Sequence, residues 1–273
     1  MSGLPVSVII VTKNEESQIT QCLRMLEGFG EIIVVDSHSA DRTAEFVRAH
    51  GAQVISFEWD GQYPKKRQWC LDYLELKYDW VFWVDADELV SPELVQEIRD
   101  VFTQEPEYAG YFIKSRYVWD GAVLQYGLMN QKIALFHKNR MVFPIVDDLP
   151  CEGMGEIEGH YQPVLIDGGA IGVLNAGMMH YAYEDTQSWL RRHERYARWE
   201  VCMSRRSAWP EDPVWWRQRL KVMTRRSRFR PWLMFVYSYV LKFGFLDGRR
   251  GFDFALSRKR YCDMVLAARY ELS

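Results

Sequence analysis

Val81-Phe82-Trp83-Val84-Asp85-Ala86-Asp87-Glu88 decides how the rest of the chain is read. Four apolar residues run straight into three carboxylates placed within four positions. An unbroken apolar run of this kind reads as a strand buried on both faces, typical of parallel sheets covered by helices. Ligands of open α/β sheets bind beyond the carboxyl ends of the strands, where these acids fall. Burying so much like charge needs a counter-charge. A hard divalent cation shared with phosphate oxygens supplies one. A solvated acidic turn is the competing reading of Asp-X-Asp alone, so the flanking chain has to decide.

Upstream, Val6 to Val11 is a second β-branched, nearly continuous run, closed by the polar loop Thr12-Lys13-Asn14-Glu15-Glu16. A helix follows with Ile19, Leu23 and Leu26 inward, stopped by Gly28 and Gly30. Ile32 to Val35 forms the next buried strand, ending on Asp36-Ser37, and Ser39 and Asp41 supply caps for a helix through Phe46 and Val47. Gln53 to Phe57 reads as a third strand and Lys65 to Lys77 as a helix, while Ser91-Pro92 opens a helix with Leu94 and Ile98 inward. The succession β-α-β-α-β predicts an α/β fold with a mostly parallel, Rossmann-like sheet flanked by helices. Beyond Pro106 longer strands and Gly-rich loops take over, and from Asp185 the chain is helical, aromatic and basic. The expected division is therefore 1–184, with a nucleotide half 1–105 and an acceptor half 106–184, followed by a C-terminal region 185–273.

The net charge of −3 hides a polarity along the chain. From Thr186 to Ser273 there are 20 basic against 8 acidic residues, and the remainder holds 14 against 29. The C-terminal region is thus suited to an anionic surface. Five scattered cysteines without a C-x-x-C pair predict reduced thiols and a cytoplasmic setting. No basic leader precedes the first strand, and no apolar run reaches the length of a membrane span.

Neither G-x-G-x-x-G nor a Walker A lysine loop follows the first strand, which argues against dinucleotide oxidoreductases and P-loop enzymes. Instead polar residues close three strands: Thr12, Asn14 and Glu15; Asp36 and Ser37; Asp85 and Asp87, with Ala86 between them. Gathered on one sheet edge they make a nucleotide site. An acid such as Asp36 suits the NH edge of a uracil or the hydroxyls of a ribose. Lys66 and Arg67 either approach a diphosphate or form a solvated helix face.

Val6 to Glu16, Ile32 to Thr43 and Asp85-Ala86-Asp87-Glu88 resemble the inverting family 2 glycosyltransferases of GT-A fold. Lys242 to Phe252 is similar to the tail of the bacterial branch that includes lipopolysaccharide-core β-glucosyltransferases. The resemblance implies that Thr12, Asn14, Glu15 and Asp36 hold the nucleotide. It gives Asp85 the ribose or a metal-bound water, and Asp87 the metal, Mn2+ or Mg2+. Relatives carry a His-Glu pair some twenty residues before a His-Tyr dipeptide. Here His180-Tyr181 is present, but the earlier pair is replaced by Glu158-Gly159-His160-Tyr161. Glu158 is the first candidate for the general base, followed by Asp148, Glu152 and His160. His180 is either a further metal ligand or a structural histidine.

Trp189, Trp199, Trp209, Trp215 and Trp216 stand among Arg191, Arg192, Arg195 and Arg198, and Arg217 to Arg230 holds seven basic residues and no acid. Basic residues beside Trp, Phe and Leu describe an interfacial segment attracted by anionic headgroups. Nucleic acid and a plain helical cap are the alternatives. With the family resemblance, the expectation is a transferase on the inner face of the cytoplasmic membrane. Its donor would be a nucleotide-diphosphate sugar, most simply a UDP-hexose, and its acceptor a lipid-linked or lipopolysaccharide-core saccharide, with no nucleic-acid partner. The rivals are a nucleotidyltransferase and a non-catalytic saccharide- or RNA-binding module.

Overall fold

The computed structural model describes residues 3–158, 161–183, 185–210 and 215–271, and only the helical backbone of Trp216, Arg217 and Arg226. The strands β1 (Leu4–Thr12), β2 (Phe29–Asp36), β3 (Gln53–Ser56) and β4 (Trp80–Asp85) alternate with α1 (Ile19–Arg24), α2 (Thr43–Ala49) and α3 (Lys66–Tyr73). They lie side by side in the order β3-β2-β1-β4, all parallel. Alternate residues of each strand enter opposite layers, as the two-residue period of a strand requires. Val8, Ile10, Val34 and Val84 pack with Leu23 and Leu94 on one face, whereas Ile9, Val35 and Trp83 pack with Phe57 and Cys70 on the other. Burial on both faces is why these runs are continuous rather than alternating in sequence.

The helix expected over Lys65 to Lys77 stops at Tyr73, because Leu74 turns extended (φ −83°, ψ 133°) and Leu76 is drawn into the second layer. Past β4 come β5 (Glu88–Val90), α4 (Pro92–Val101), β6 (Gly110–Trp119), β7 (Ala122–Val123), β8 (Asn130–His137), β9 (Met141–Val142), β10 (Val164–Leu165) and β11 (Ile171–His180). Ser91 caps α4, its hydroxyl accepting from the Leu94 N–H, with Pro92 in the first turn. β8 is inserted antiparallel between β4 and β6, β11 runs parallel to β6, and β5 pairs antiparallel with β11. The sheet is therefore mixed, and its parallel part is the half that carries the polar strand ends.

The chain forms two compact units, one of residues 1–117, 130–144 and 162–182, the other of 118–129, 145–161 and 183–273. Segments 118–129 and 145–161, read from the sequence as part of the acceptor half, thus group with the helical C-terminal region. Their anchors explain it: Gly127 N–H donates to the Lys242 carbonyl (2.8 Å), and Arg206 pairs with Asp147 (2.6 Å).

The second unit contains α5 (Thr186–Arg206), α6 (Trp215–Arg226), α7 (Arg230–Val236), a π-helical turn Tyr237–Leu241, a 3-10 turn Gly244–Asp247 and α8 (Gly248–Glu271). Asp185 caps α5 through the N–H groups of Gln187 and Ser188. Glu200 on α5 is buried against Arg230 and accepts a 2.8 Å hydrogen bond from the Tyr261 hydroxyl on α8. The expectation of five reduced thiols is corrected here. Cys151 and Cys202 form a disulfide with their Cα atoms 5.6 Å apart, and Cys22, Cys70 and Cys262 remain buried thiols. Local spacing gave no hint of the pair, because the fold alone brings the 145–161 loop onto α5.

Candidate active site

Strand register assembles the first unit's candidate residues. Thr12 pairs with Asp36 across β1 and β2, and Val11 pairs with Asp85 across β1 and β4. Three strand ends that are distant in sequence therefore stop on one edge. The loops beyond them are laced together. Asn14, in the left-handed region at φ 58°, accepts from Ala40 N–H and donates its own N–H to the Ser39 hydroxyl, both at 2.8 Å. Glu15 N–H reaches the Thr43 hydroxyl at 2.8 Å. Asp36, 6% exposed, binds Ser39 twice, through its N–H (2.9 Å) and through its hydroxyl. The Thr12 hydroxyl oxygen is buried with no hydrogen-bond partner among the described residues, an unmet polar group at the strand end.

Lys66 and Arg67 differ in what they do. The Lys66 ammonium is buried between the strand ends, donating to the Ser37 hydroxyl and to the Thr12 carbonyl (3.4 Å). It braces β1 against β2 rather than standing as a solvated face. Arg67 instead turns to Asp85, with Nη2 3.2 Å from Oδ1.

The acidic motif itself splits into two arrangements. Asp85 is held by two cations, Arg67 on one oxygen and Lys132 of β8 on the other (2.7 Å). Lys132 also reaches Glu88 Oε2 at 2.5 Å, and Glu88, fully buried, accepts from the Ser115 hydroxyl (3.0 Å) and the Asp85 N–H (3.1 Å). Burial works to raise the Asp85 pKa, but Lys132 and Arg67 outweigh it and hold the carboxyl well below the usual range. Lys132 was not singled out from the sequence, and Glu88 was read there only as the third carboxylate of the acidic motif. Lys132 sits in an ordinary strand, and its partners lie 44 and 47 positions away.

Asp87 takes the other route. Its Oδ2 lies 3.2 Å from His180 Nε2, and its carbonyl accepts from Tyr181 N–H at 2.8 Å. His180 stacks on Tyr117 with ring centroids 5.3 Å apart, and its Nδ1 is buried without a partner among the described residues. Burial lowers the His180 pKa, yet the Asp87, Glu88 and Asp85 carboxylates together raise it above the ordinary value. Ala86, between the two acids, is 3% exposed and packs into the core layer with Cys22 and Leu89.

Among the described residues no group of three or more His, Cys, Asp or Glu side chains is arranged to hold a metal. Asp87 and His180 nevertheless fit two positions of one ion. Neighbouring ligands about 2.1 Å from an octahedral centre stand about 3 Å apart, and a site for Mg2+ or Mn2+ commonly completes its shell with phosphate oxygens and water. Asp85, with both oxygens engaged by cations, is arranged as a fixed anion beside that pair.

The base candidates belong to the second unit. Asp148 and Glu158 are each 1% exposed, and Glu152 is exposed. Their loop is bound to α5 by Asp147–Arg206 and Cys151–Cys202. Gly153 fits against α5 because it lacks a side chain: a Cβ there would stand 2.5 Å from the Arg195 carbonyl oxygen. His160 lies outside the described residues.

A mixed α/β sheet whose parallel strands end in interlocked polar loops and a carboxylate–imidazole pair is the architecture of a nucleotide-handling protein. The Glycosyl transferase family 2 model matches residues 7–155, and the chain belongs to that family. An uncharacterized glycosyltransferase of Rickettsia prowazekii is 35% identical over 122 residues, 42% of this chain and 40% of the relative. The lipopolysaccharide core biosynthesis glycosyltransferase LpsC of Rhizobium meliloti is 31% identical over 118 residues, 41% of this chain and 43% of the relative. The matches thus span less than half the length of these curated relatives. In fold, the chain is similar to a mannosyltransferase from Pyrobaculum calidifontis in complex with GDP-Man and Mn2+, with TM-score 0.53 and 14% identity over 98% of this chain and 87% of that one.

Proposed function

We propose that the protein is an inverting, metal-dependent glycosyltransferase. It takes a hexose from a nucleotide-diphosphate sugar, a UDP-sugar, and adds it to a lipid-linked or lipopolysaccharide-core saccharide. Its place is the anionic inner face of the cytoplasmic membrane. The observation that carries this reading is the set of strand ends in register: Thr12 beside Asp36, and Asp85 one strand further, with Asp87 against His180. Family membership, the relative in lipopolysaccharide core biosynthesis and the solved mannosyltransferase with GDP-Man and Mn2+ support it.

In this reading Thr12, Asn14, Glu15, Asp36 and Ser37 hold the nucleoside, with the unmet Thr12 hydroxyl turned to the ligand. Arg67, drawn to Asp85 in the free protein, offers its planar fork to the diphosphate. Asp87 and His180 hold the divalent ion, which when bound offsets the charge that develops on the leaving diphosphate. A carboxylate of the 145–161 loop, Glu158 first and then Asp148 or Glu152, takes the proton from the acceptor hydroxyl.

The test is a donor screen that follows nucleoside diphosphate release with a lipid-linked acceptor, with and without Mn2+ or Mg2+, and assigns the product anomer by NMR. Release from UDP-hexoses that needs the ion, with inverted product, is the expected result. Absence of release from every nucleotide sugar would reject the reading.

A further inference from the structure

α7 and the π-helical turn form one continuous helical segment of twelve residues with two different faces. On the inner face Pro231 and Ser238 are buried, and Phe235 and Tyr239 pack edge-on to Phe252 of α8, at 5.7 and 5.5 Å. Opposite them, Phe229, Trp232, Leu233, Val236, Val240 and Leu241 recur at spacings of three and four and remain 44% to 63% exposed. A contiguous apolar stripe of large side chains on one helical face marks a binding surface.

The charges around it identify the partner. Residues 215–250 contain ten Lys and Arg and a single acid, Asp247, and of the ten Arg230, Arg249 and Arg250 are paired with Glu200, Asp253 and Asp120. Asp247 is occupied by the N–H groups of Gln125 and Tyr126. Arg228 and Lys242 are exposed at the two ends of the stripe, and their cationic heads lie over the rings of Phe229 and Tyr237, at 5.8 and 5.5 Å. Stems along apolar surface with heads at the rim are how basic residues sit at a lipid boundary. A second copy paired face to face would bring these cations together. Nucleic acid needs stacking faces or hydrogen-bonding groups, and the middle of the stripe is aliphatic. Twelve helical residues rise about 18 Å, short of the ~30 Å hydrocarbon core, so the segment suits the boundary and not a crossing. No described helix is long and apolar enough to cross a membrane.

We infer that α7 and the π-helical turn lie flat in the surface of an anionic phospholipid bilayer. The Phe229–Leu241 stripe then sits among the upper acyl carbons, and Arg228 and Lys242 reach the headgroup phosphates. This deepens the membrane contact of the proposed function and rests on that reading for its setting, while the surface itself is testable without sugar chemistry.

The experiment is co-sedimentation of the full chain with vesicles of phosphatidylcholine alone or mixed with phosphatidylglycerol. It is run on wild type, on Leu233→Glu/Leu241→Glu, and on Gln21→Glu/Gln53→Glu, which adds the same charge at exposed sites elsewhere. Wild type and the control should bind the anionic vesicles, more weakly as salt rises. The stripe variant should lose at least about tenfold in partitioning. Brominated acyl chains should quench tryptophan fluorescence, and part of that quenching should vanish in Trp232→Phe. Four results would overturn the inference: no binding to anionic vesicles, equal binding by the stripe variant, binding to RNA in place of vesicles, or a dimer in light scattering that the stripe variant dissolves. Nucleoside diphosphate release from the sugar nucleotide, measured in parallel with the lipid-linked acceptor dispersed in neutral detergent instead of vesicles, separates the two claims. Vesicle binding without transfer removes only the enzymatic reading, and transfer without vesicle binding removes only the surface.

Discussion

Lys132 and Asp85 form an ion pair at 2.7 Å inside the first unit, and the same ammonium is shared with the fully buried Glu88. Replacing Lys132 by Met leaves the fully buried Glu88 beside the partly buried Asp85, with Arg67 and His180 to balance them. Breaking a buried pair from one side costs about 3–5 kcal/mol, because the remaining charge is uncompensated. Urea denaturation of Lys132→Met should show a loss of that size, and Lys132→Met/Glu88→Gln should recover part of it. A change below about 1 kcal/mol, the worth of an exposed pair, would mean the network is solvated.

Asp87 and His180 should behave as a unit that differs from Asp85. Asp87→Ala and His180→Ala are expected to keep the circular dichroism of the fold, with a lower melting temperature because each breaks a mostly buried pair. Each should lower metal-dependent donor turnover by about a hundredfold or more, and ion binding should weaken alongside. Isothermal titration with Mn2+ and nucleoside diphosphate checks it. Unchanged ion affinity in both variants would reject the assignment.

The two buried acids of the 145–161 loop can be separated by where they act. Glu158→Gln should retain donor binding and lose about 10²–10⁴-fold in transfer, the usual worth of a general base. Asp148→Asn should lose less. If the order is reversed, Asp148 takes the role.

Glu200 provides the pH prediction. Its burial would raise its pKa, but Arg230 and the bonds from Arg230 and Tyr261 outweigh burial and hold it below its ordinary 4.5. A carboxyl with a depressed folded value contributes stability that is complete above the unfolded value and lost as pH falls through the folded one. Glu200→Gln should therefore cost most at neutral pH, and the gap to wild type should narrow progressively below about pH 4. Melting temperatures across that range check it, and a gap independent of pH would show that the carboxyl is not titrating with folding.

Gly251 sets steric limits against helix propensity. Alanine inside α8 would gain about 1 kcal/mol from propensity. Its Cβ, however, would stand 1.8 Å from the Gly244 carbonyl oxygen, which no side-chain rotation relieves. Gly251→Ala should thus destabilise by about 1–3 kcal/mol, as overpacked sites do. A stabilised variant would show that the 3-10 turn moves freely.

Much of the nucleotide half was legible because its signals are local. Val6 to Val11 (broken only by Ser7), Ile32 to Val35 and Val81 to Val84 are apolar runs, and Ser91-Pro92 is a cap that needs only three neighbours to form. Convergence of Thr12, Asp36 and Asp85 followed from parallel order alone. The antiparallel entry of β8 was not legible, since nothing in Asn130 to His137 states its direction, and with it went Lys132 as the partner of Asp85. His180 was reached through the His-Tyr dipeptide of the resembled family, not through spacing, because 93 positions separate it from Asp87. The end of α3 at Tyr73 was missed because Leu74 and Leu76 suit a helix face as well as an extended segment entering the core.

The Cys151–Cys202 link has a practical bearing on anyone who prepares this protein. It closes a stretch of 51 residues and, by loop entropy, limits the unfolded chain by about 4 kcal/mol. Material made in a host that keeps thiols reduced would hold the Asp148–Glu158 stretch to its helix by non-covalent contacts, the Asp147–Arg206 pair among them. Material made in an oxidising host would have it tethered covalently. Two batches of identical polypeptide would then differ by a pair of electrons and two protons, and an assay that ignored the reductant in its buffer would be comparing two molecules.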